Sequence, residues 1–162
     1  MAEHFRLVPG GLEVSLSPEE VLFFGDLLRL LGGMGLPEED PGAARLGPPV
    51  YLGDPDADAE WRRFAGTELS AARTADRSSL ETVLDALAEA HSRGESSVTV
   101  SLEEANAMLR VVNDARLVLG ARWGIDTAED YQRLRRESSE IMDYLGWVVS
   151  DLAITLSNAI DS

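Results

Sequence analysis

Four groups of residues have the type and spacing to bind or to react. Asp54, Asp56, Asp58 and Glu60 fall within one short stretch and could hold a magnesium ion through carboxylates alone. They lack the central glycine and the twelfth-position glutamate of a calcium loop. Asn113, Asp114 and Arg116 interrupt an apolar run. Asn113 and Arg116, three apart, share one helix face, and Asn106 stands a heptad earlier. Such a group is either a hydrogen-bond network that fixes helix packing or a partner-binding site. Trp61-Arg62-Arg63-Phe64 joins two aromatic residues to two arginines, and Trp and Arg are favoured interface anchors. An amphipathic helix with Trp61 and Phe64 in the core has the same spacing. Arg133, Arg135 and Arg136 form the one locally basic spot and read as a solvated face.

Familiar catalytic constellations are missing from the sequence. With no cysteine, thiolate catalysis, disulfides, zinc–thiolate sites and iron–sulfur clusters are excluded. The two histidines, His4 and His91, are far apart and form neither a His-x-x-x-His nor a Glu-x-x-His arrangement. His91 closes a helix, where a cation suits the dipole. Gly32-Gly33-Met34-Gly35 follows a helix rather than a strand, and no lysine exists to reach a phosphate. No serine has a credible histidine base. The expectation is a non-enzymatic protein with no catalytic residue, no cofactor and no metal.

Charge points to the kind of partner. The 162 residues carry 14 arginines against 29 carboxylates, a net charge of −15. Residues 1–60 hold three Arg against twelve Asp and Glu, or −9, and residues 61–162 hold eleven against seventeen, or −6. Phosphate backbones repel such a chain, so direct nucleic-acid binding is not expected, whereas a protein with a basic patch suits it. Solubility alone also accounts for the charge. No apolar run reaches the roughly 18 residues of a membrane span. The first six residues do not resemble a signal peptide, so the cytoplasm is the expected compartment.

The elements that must position these residues read as mainly α. A bundle of five to six helices carries a small antiparallel sheet, all in a single domain over 1–162. Phe5–Val8 and Leu12–Leu16 flank Pro9-Gly10-Gly11 and predict a β-hairpin. Ser17-Pro18-Glu19-Glu20 is a capping box with proline at the first helical position. The helix it opens is apolar on most of its circumference and is expected to be central in the core. Gly32 and Gly33 end it. Residues 34–58 read as a proline-rich acidic loop with one short helix near 42–46. A helix is expected from Asp54-Pro55, interrupted at Gly66-Thr67. Another spans 79–91, with Leu80, Val83, Leu84, Leu87 and Ala88 on its apolar face. A strand at 97–100 leads into a second capping box, Ser101 to Glu104. The following helix places Ala105, Met108, Leu109, Val112 and Leu119 on one face and ends at Gly120. A short helix runs from Asp126 or Thr127 to Glu137, and a last one from Ser139 to about Ile160.

Val14-Ser15-Leu16-Ser17-x-x-Glu20 and Val98-Thr99-Val100-Ser101-x-x-Glu104 repeat one strand-to-cap unit. This is either a duplicated half or two uses of one local solution. The helices that follow share only apolar spacing, which favours the second reading. The short strands are expected to pair with each other.

Three stretches carry a family resemblance. They are Leu16-Ser17-Pro18-Glu19-Glu20-Val21 with Leu27-Leu28; Asp40-Pro41, Arg45-Leu46, Pro48 and Tyr51, followed by Asp54-Pro55 and Glu60-Trp61-Arg62-Arg63; and Glu103-Glu104-Ala105-Asn106-Ala107 with Val112-Asn113-Asp114-Ala115-Arg116-Leu117-x-Leu119-Gly120. In order and spacing the chain resembles an actinobacterial domain-of-unknown-function family encoded near the Clp-protease adaptor ClpS. One branch of that family, AosR, is an oxidative-stress transcriptional regulator. The resemblance implies a regulator acting by protein contact, for example with a sigma factor or the transcription machinery. The cysteine pair credited with redox sensing in that branch has no counterpart here, so no thiol switch carries over. The absence of lysine agrees with a GC-rich source.

The candidate partner-binding residues are therefore Trp61, Arg62, Arg63, Asn113, Asp114 and Arg116. The alternatives are a metal-dependent enzyme using the 54–60 carboxylates and an accessory protein of Clp proteolysis. Apolar surface on the first and last helices suggests a homodimer.

Overall fold

The computed structural model describes residues 4–32 and 54–161, without the side chains of 55, 57–70 and 161. The expected loop over 34–58 and its helix near 42–46 thus lie largely outside the described residues. Eight elements follow one another: β1 (Phe5–Val8), β2 (Gly11–Ser15), α1 (Pro18–Leu31), α2 (Pro55–Ser92), β3 (Ser97–Val100), α3 (Leu102–Arg122), α4 (Ala128–Gln132) and α5 (Arg136–Asp161). The described part is mainly α with one three-stranded antiparallel sheet, ordered β1-β2-β3.

Local chemistry sets the sheet. Val8 pairs with Gly11, so Pro9 and Gly10 alone make the turn. Proline's fixed φ followed by Gly10 at φ 87° fits a type II turn. Gly11 belongs to the strand, and no other residue fits there. A Cβ at Gly11 would lie 2.1 Å from the Val100 carbonyl oxygen of the neighbouring strand. Along β2 and β3, Val14 stands opposite Val98 and Leu12 opposite Val100. The two repeated strand-to-cap units are therefore neighbours. Ser17 and Ser101 both close capping boxes, with Glu20 and Glu104, and so launch α1 and α3 from adjacent strands.

The core is centred on α3 rather than α1. Nine residues of α3 are buried, including Met108, Val112, Ala115 and Leu119, because α1, α2, α5 and β2 all pack on it. Ala105, Ala107, Ala115 and Gly120 let those neighbours approach closely. On α1 only Phe24, Leu27 and Leu31 are buried, and Leu22 remains 69% exposed. The predicted central helix is thus peripheral, and its second apolar side faces a groove or solvent.

Four boundaries also differ from expectation. The helix begun at Pro55 runs unbroken through Gly66 and Thr67 to Ser92, 38 residues. A lone glycine costs about 1 kcal/mol in a helix, which the alanine-, glutamate- and leucine-rich surroundings outweigh. Its packed face uses Ala90 where Ala88 was expected, since Ala88 is exposed. Gly120 lies inside α3, which ends at Arg122 with Trp123 as its C-cap, and Gly124 at φ 69° makes the turn. Thr127 caps α4, which ends at Gln132, and α5 starts three residues before the expected Ser139.

Candidate functional site

Two polar clusters stand out from an otherwise apolar framework. One joins the N-terminal segment, α1 and α5. The other lies between α2 and α3.

The first is built on Glu20, the residue that closes the α1 capping box. Its Oε1 accepts from the Ser17 amide at 3.0 Å. Its Oε2 accepts from His4 Nε2 at 2.5 Å and from the Tyr144 hydroxyl of α5. One carboxylate thus ties the chain before β1, the start of α1 and the third turn of α5 together. Burial pushes its pKa up, but the Ser17 amide, the Tyr144 hydroxyl and His4 outweigh that, and the carboxyl sits below its ordinary value. The Tyr144 phenol is driven the other way, well above its ordinary value, by burial and by the adjacent Glu20 charge. Aromatic rings surround the pair. Phe23 packs edge-on to Tyr144 at 5.5 Å, and His4 sits edge-on to Trp147 at 4.9 Å.

Beside this tie lies an open groove of about 410 Å³ between α1 and the first turns of α5. Phe23, Ile141 and Tyr144 form its apolar floor, and Glu19, Glu20, Glu137 and Glu140 surround it. Glu19 and Glu137 are exposed and have no ion-pair partner among the described residues. Glu140 pairs with Arg136 at 3.0 Å, in a geometry where both side chains are mostly exposed. Such a pair contributes little and is readily exchanged. The floor is shaped for an apolar group and the rim for cations.

The second cluster contains Arg73, Asp76, Arg77, Arg110 and Asp114. Arg110 grips Asp76 through two bonds of 2.8 and 2.9 Å. Arg73 approaches Asp114 at 3.6 Å. Arg77 is 9% exposed, donates to the Thr74 hydroxyl at 3.3 Å, and leaves its Nε without a hydrogen bond. Burial raises the Asp114 pKa above its ordinary value, against the pull of Arg73 and in concert with Asp76. These charges have a structural use, since they close the seam where α2 and α3 pack.

The candidates read from the sequence are dispersed by the fold. Asp114 faces α2, whereas the Arg116 guanidinium lies over Gly146 of α5. Asn113 is half-buried, and no hydrogen bond links it to Asp114 or Arg116. Asn106 bonds back to the Leu102 carbonyl of its own helix. Trp61, Arg62 and Arg63 occupy consecutive positions of α2, and their side chains lie outside the described residues. His91 does more than close a helix: its Nε2 donates to the Leu16 carbonyl at 2.8 Å and pins α2 to the β2–α1 junction. Among the described residues no group of three His, Asp or Glu is placed to hold a metal. The side chains of Asp58 and Glu60 lie outside that description. Arg133 and Arg136 each pair with a glutamate one turn away on a solvated face.

Sequence reading missed the groove. Glu19 and Glu20 looked like first-turn residues that answer the helix dipole, which they are. Tyr144 carried no signal. The spacing of Glu137, Glu140, Ile141 and Tyr144, at i, i+3, i+4 and i+7, would have marked one helix face.

The fold and the groove define a mainly α domain with a small capping sheet and an acid-rimmed apolar surface. Its described helices include none long and apolar enough to cross a membrane. The family model described as "Domain of unknown function (DUF2017)" matches residues 2–156, and the chain belongs to that family. No curated protein and no solved structure matches it.

Proposed function

We propose that this chain is a non-enzymatic regulatory protein that acts by binding another protein, within the transcription apparatus. The observation that carries the proposal is the open apolar groove between α1 and α5, lined by four glutamates on a chain of net charge −15. An apolar floor inside a charged rim is the anatomy of a protein interface. The sign of the rim selects a basic partner surface. The transcriptional setting comes from the resemblance to the AosR branch, and a sigma factor is one partner of that kind. With no cysteine in the chain, the contact works without a thiol switch.

Affinity capture of the full chain from its native cells tests this. The expected result is a basic component of the transcription machinery, released by moderate salt. Recovery of no stable partner, together with a hydrolytic or transfer activity of the purified chain, would sink the proposal. The homodimer belongs to the same proposal, since exposed Leu22 and Ile154 offer apolar surface. Light scattering that gives 17.6 kDa at every concentration removes it.

A further inference from the structure

We infer that the α1/α5 groove receives one amphipathic helix of a protein partner, with an apolar anchor in its centre and arginine or lysine one turn to either side. The inference rests on the reading that the chain works by protein contact, and it names the chemistry of that contact.

The geometry supports this occupant on three counts. The groove wall on α5 is a helical stripe of two turns, Glu137 to Tyr144, about 10 Å long at 1.5 Å per residue. A third helix laid against α1 and α5 would meet that stripe with side chains one turn apart, in the helix-in-groove mode of recognition. The floor of Phe23, Ile141 and Tyr144 accepts the central apolar side chain. The rim offers Glu19 from one wall and Glu137 and Glu140 from the other, so cations on both sides of the anchor find carboxylates. Glu20 takes no part in that exchange. Its two oxygens are engaged by Ser17, His4 and Tyr144, and it holds the floor in place.

A small cation fits less well. Pockets for small molecules enclose most of their ligand, whereas this groove is open, and its carboxylates stand on two walls. The neighbouring groove between α1 and α2 differs in charge, since Arg29 shares it with Glu81 and Asp85. It has no uniform sign to select a partner.

The test uses the full chain and a panel of labelled model peptides about 15 residues long, long enough for a marginal helix. Each carries a Leu or Phe anchor flanked at i−4 and i+4 by Arg. Control peptides replace the Arg by Glu or the anchor by Ala. Fluorescence anisotropy should show saturable binding of Arg peptides and none of Glu peptides. NMR shifts should map to residues 19–23 and 137–144. Combined Glu19→Gln, Glu137→Gln and Glu140→Gln should weaken binding about tenfold, as expected for three exposed charge contacts. Circular dichroism confirms that this variant is folded, and Ile141→Ala provides a second variant that removes the anchor's seat.

Absence of binding by every Arg peptide overturns the inference, as does shift mapping elsewhere or unchanged affinity in the triple variant. Spermidine competing at the same concentration as the peptides also overturns it, in favour of a small-cation site. If the cellular partner is captured equally well by the triple variant, the groove assignment fails while the protein-binding function stands. If no partner is captured by the native chain, the functional reading itself fails.

Discussion

Glu20 and Asp114 are both half-buried carboxylates, yet the fold treats them in opposite ways. Glu20 receives hydrogen bonds from three elements and is held below its ordinary pKa. Asp114 has an arginine at 3.6 Å but is dominated by burial, and its pKa is raised. The difference lies in donors. An amide, a phenol and an imidazole aimed at one carboxylate replace its water, whereas a loosely placed guanidinium does not. The first cluster is a junction between elements that also frames a binding surface. The second is a packed seam whose charges nearly cancel.

The sharpest break of this comparison is Glu20→Ala. It removes the glutamate half of the capping box and the acceptor of the Tyr144 hydroxyl, and should destabilise the domain by about 2–4 kcal/mol in urea unfolding. A loss under 1 kcal/mol would erase the contrast. Tyr144→Phe isolates one contact and should cost about 1–2 kcal/mol, with the ring packing retained.

The pH dependence should differ in sign between the two sites. The folded pKa of Glu20 is depressed, so its contribution is complete above its unfolded value, near 4.5, and fades as pH falls through the folded value. The folded pKa of Asp114 is raised, so the protonated form favours folding. That advantage holds below its unfolded value, near 3.8, and is lost as pH rises through the folded value. Between pH 3 and 7, the stability gap between the native chain and Glu20→Gln should therefore widen with rising pH. The gap between the native chain and Asp114→Asn should move the other way. Parallel curves would contradict the assignment. The smallest expected effect is Asp114→Asn at neutral pH, within about 0.5 kcal/mol of the native chain, because removing a poorly compensated charge offsets the lost ion pair.

Much of the architecture was legible because it is encoded locally. Ser17 with Glu20 and Ser101 with Glu104 are complete capping boxes within four residues, and Pro9-Gly10 specifies its own turn. Helix centrality was not legible. Alanines and Gly120 make α3 look less apolar than α1, yet their small size is what lets four elements crowd around it. The groove was hidden for a similar reason. Glu20 and Tyr144 are separated by 124 residues, and only the packing of α5 on β1 and α3 brings them together. A carboxylate at a helix start has a sufficient local explanation, which masks its second, long-range use.

The most direct test of the central claim, that the α1/α5 groove is the working surface, is site-specific photo-crosslinking in native cells. A photoreactive residue is placed in turn at Glu140, on the groove rim, and at Arg110, on the α2–α3 seam. The account predicts a discrete protein adduct from Glu140, reduced by Glu19→Gln with Glu137→Gln, and none from Arg110. An adduct from Arg110 with none from Glu140 would contradict it.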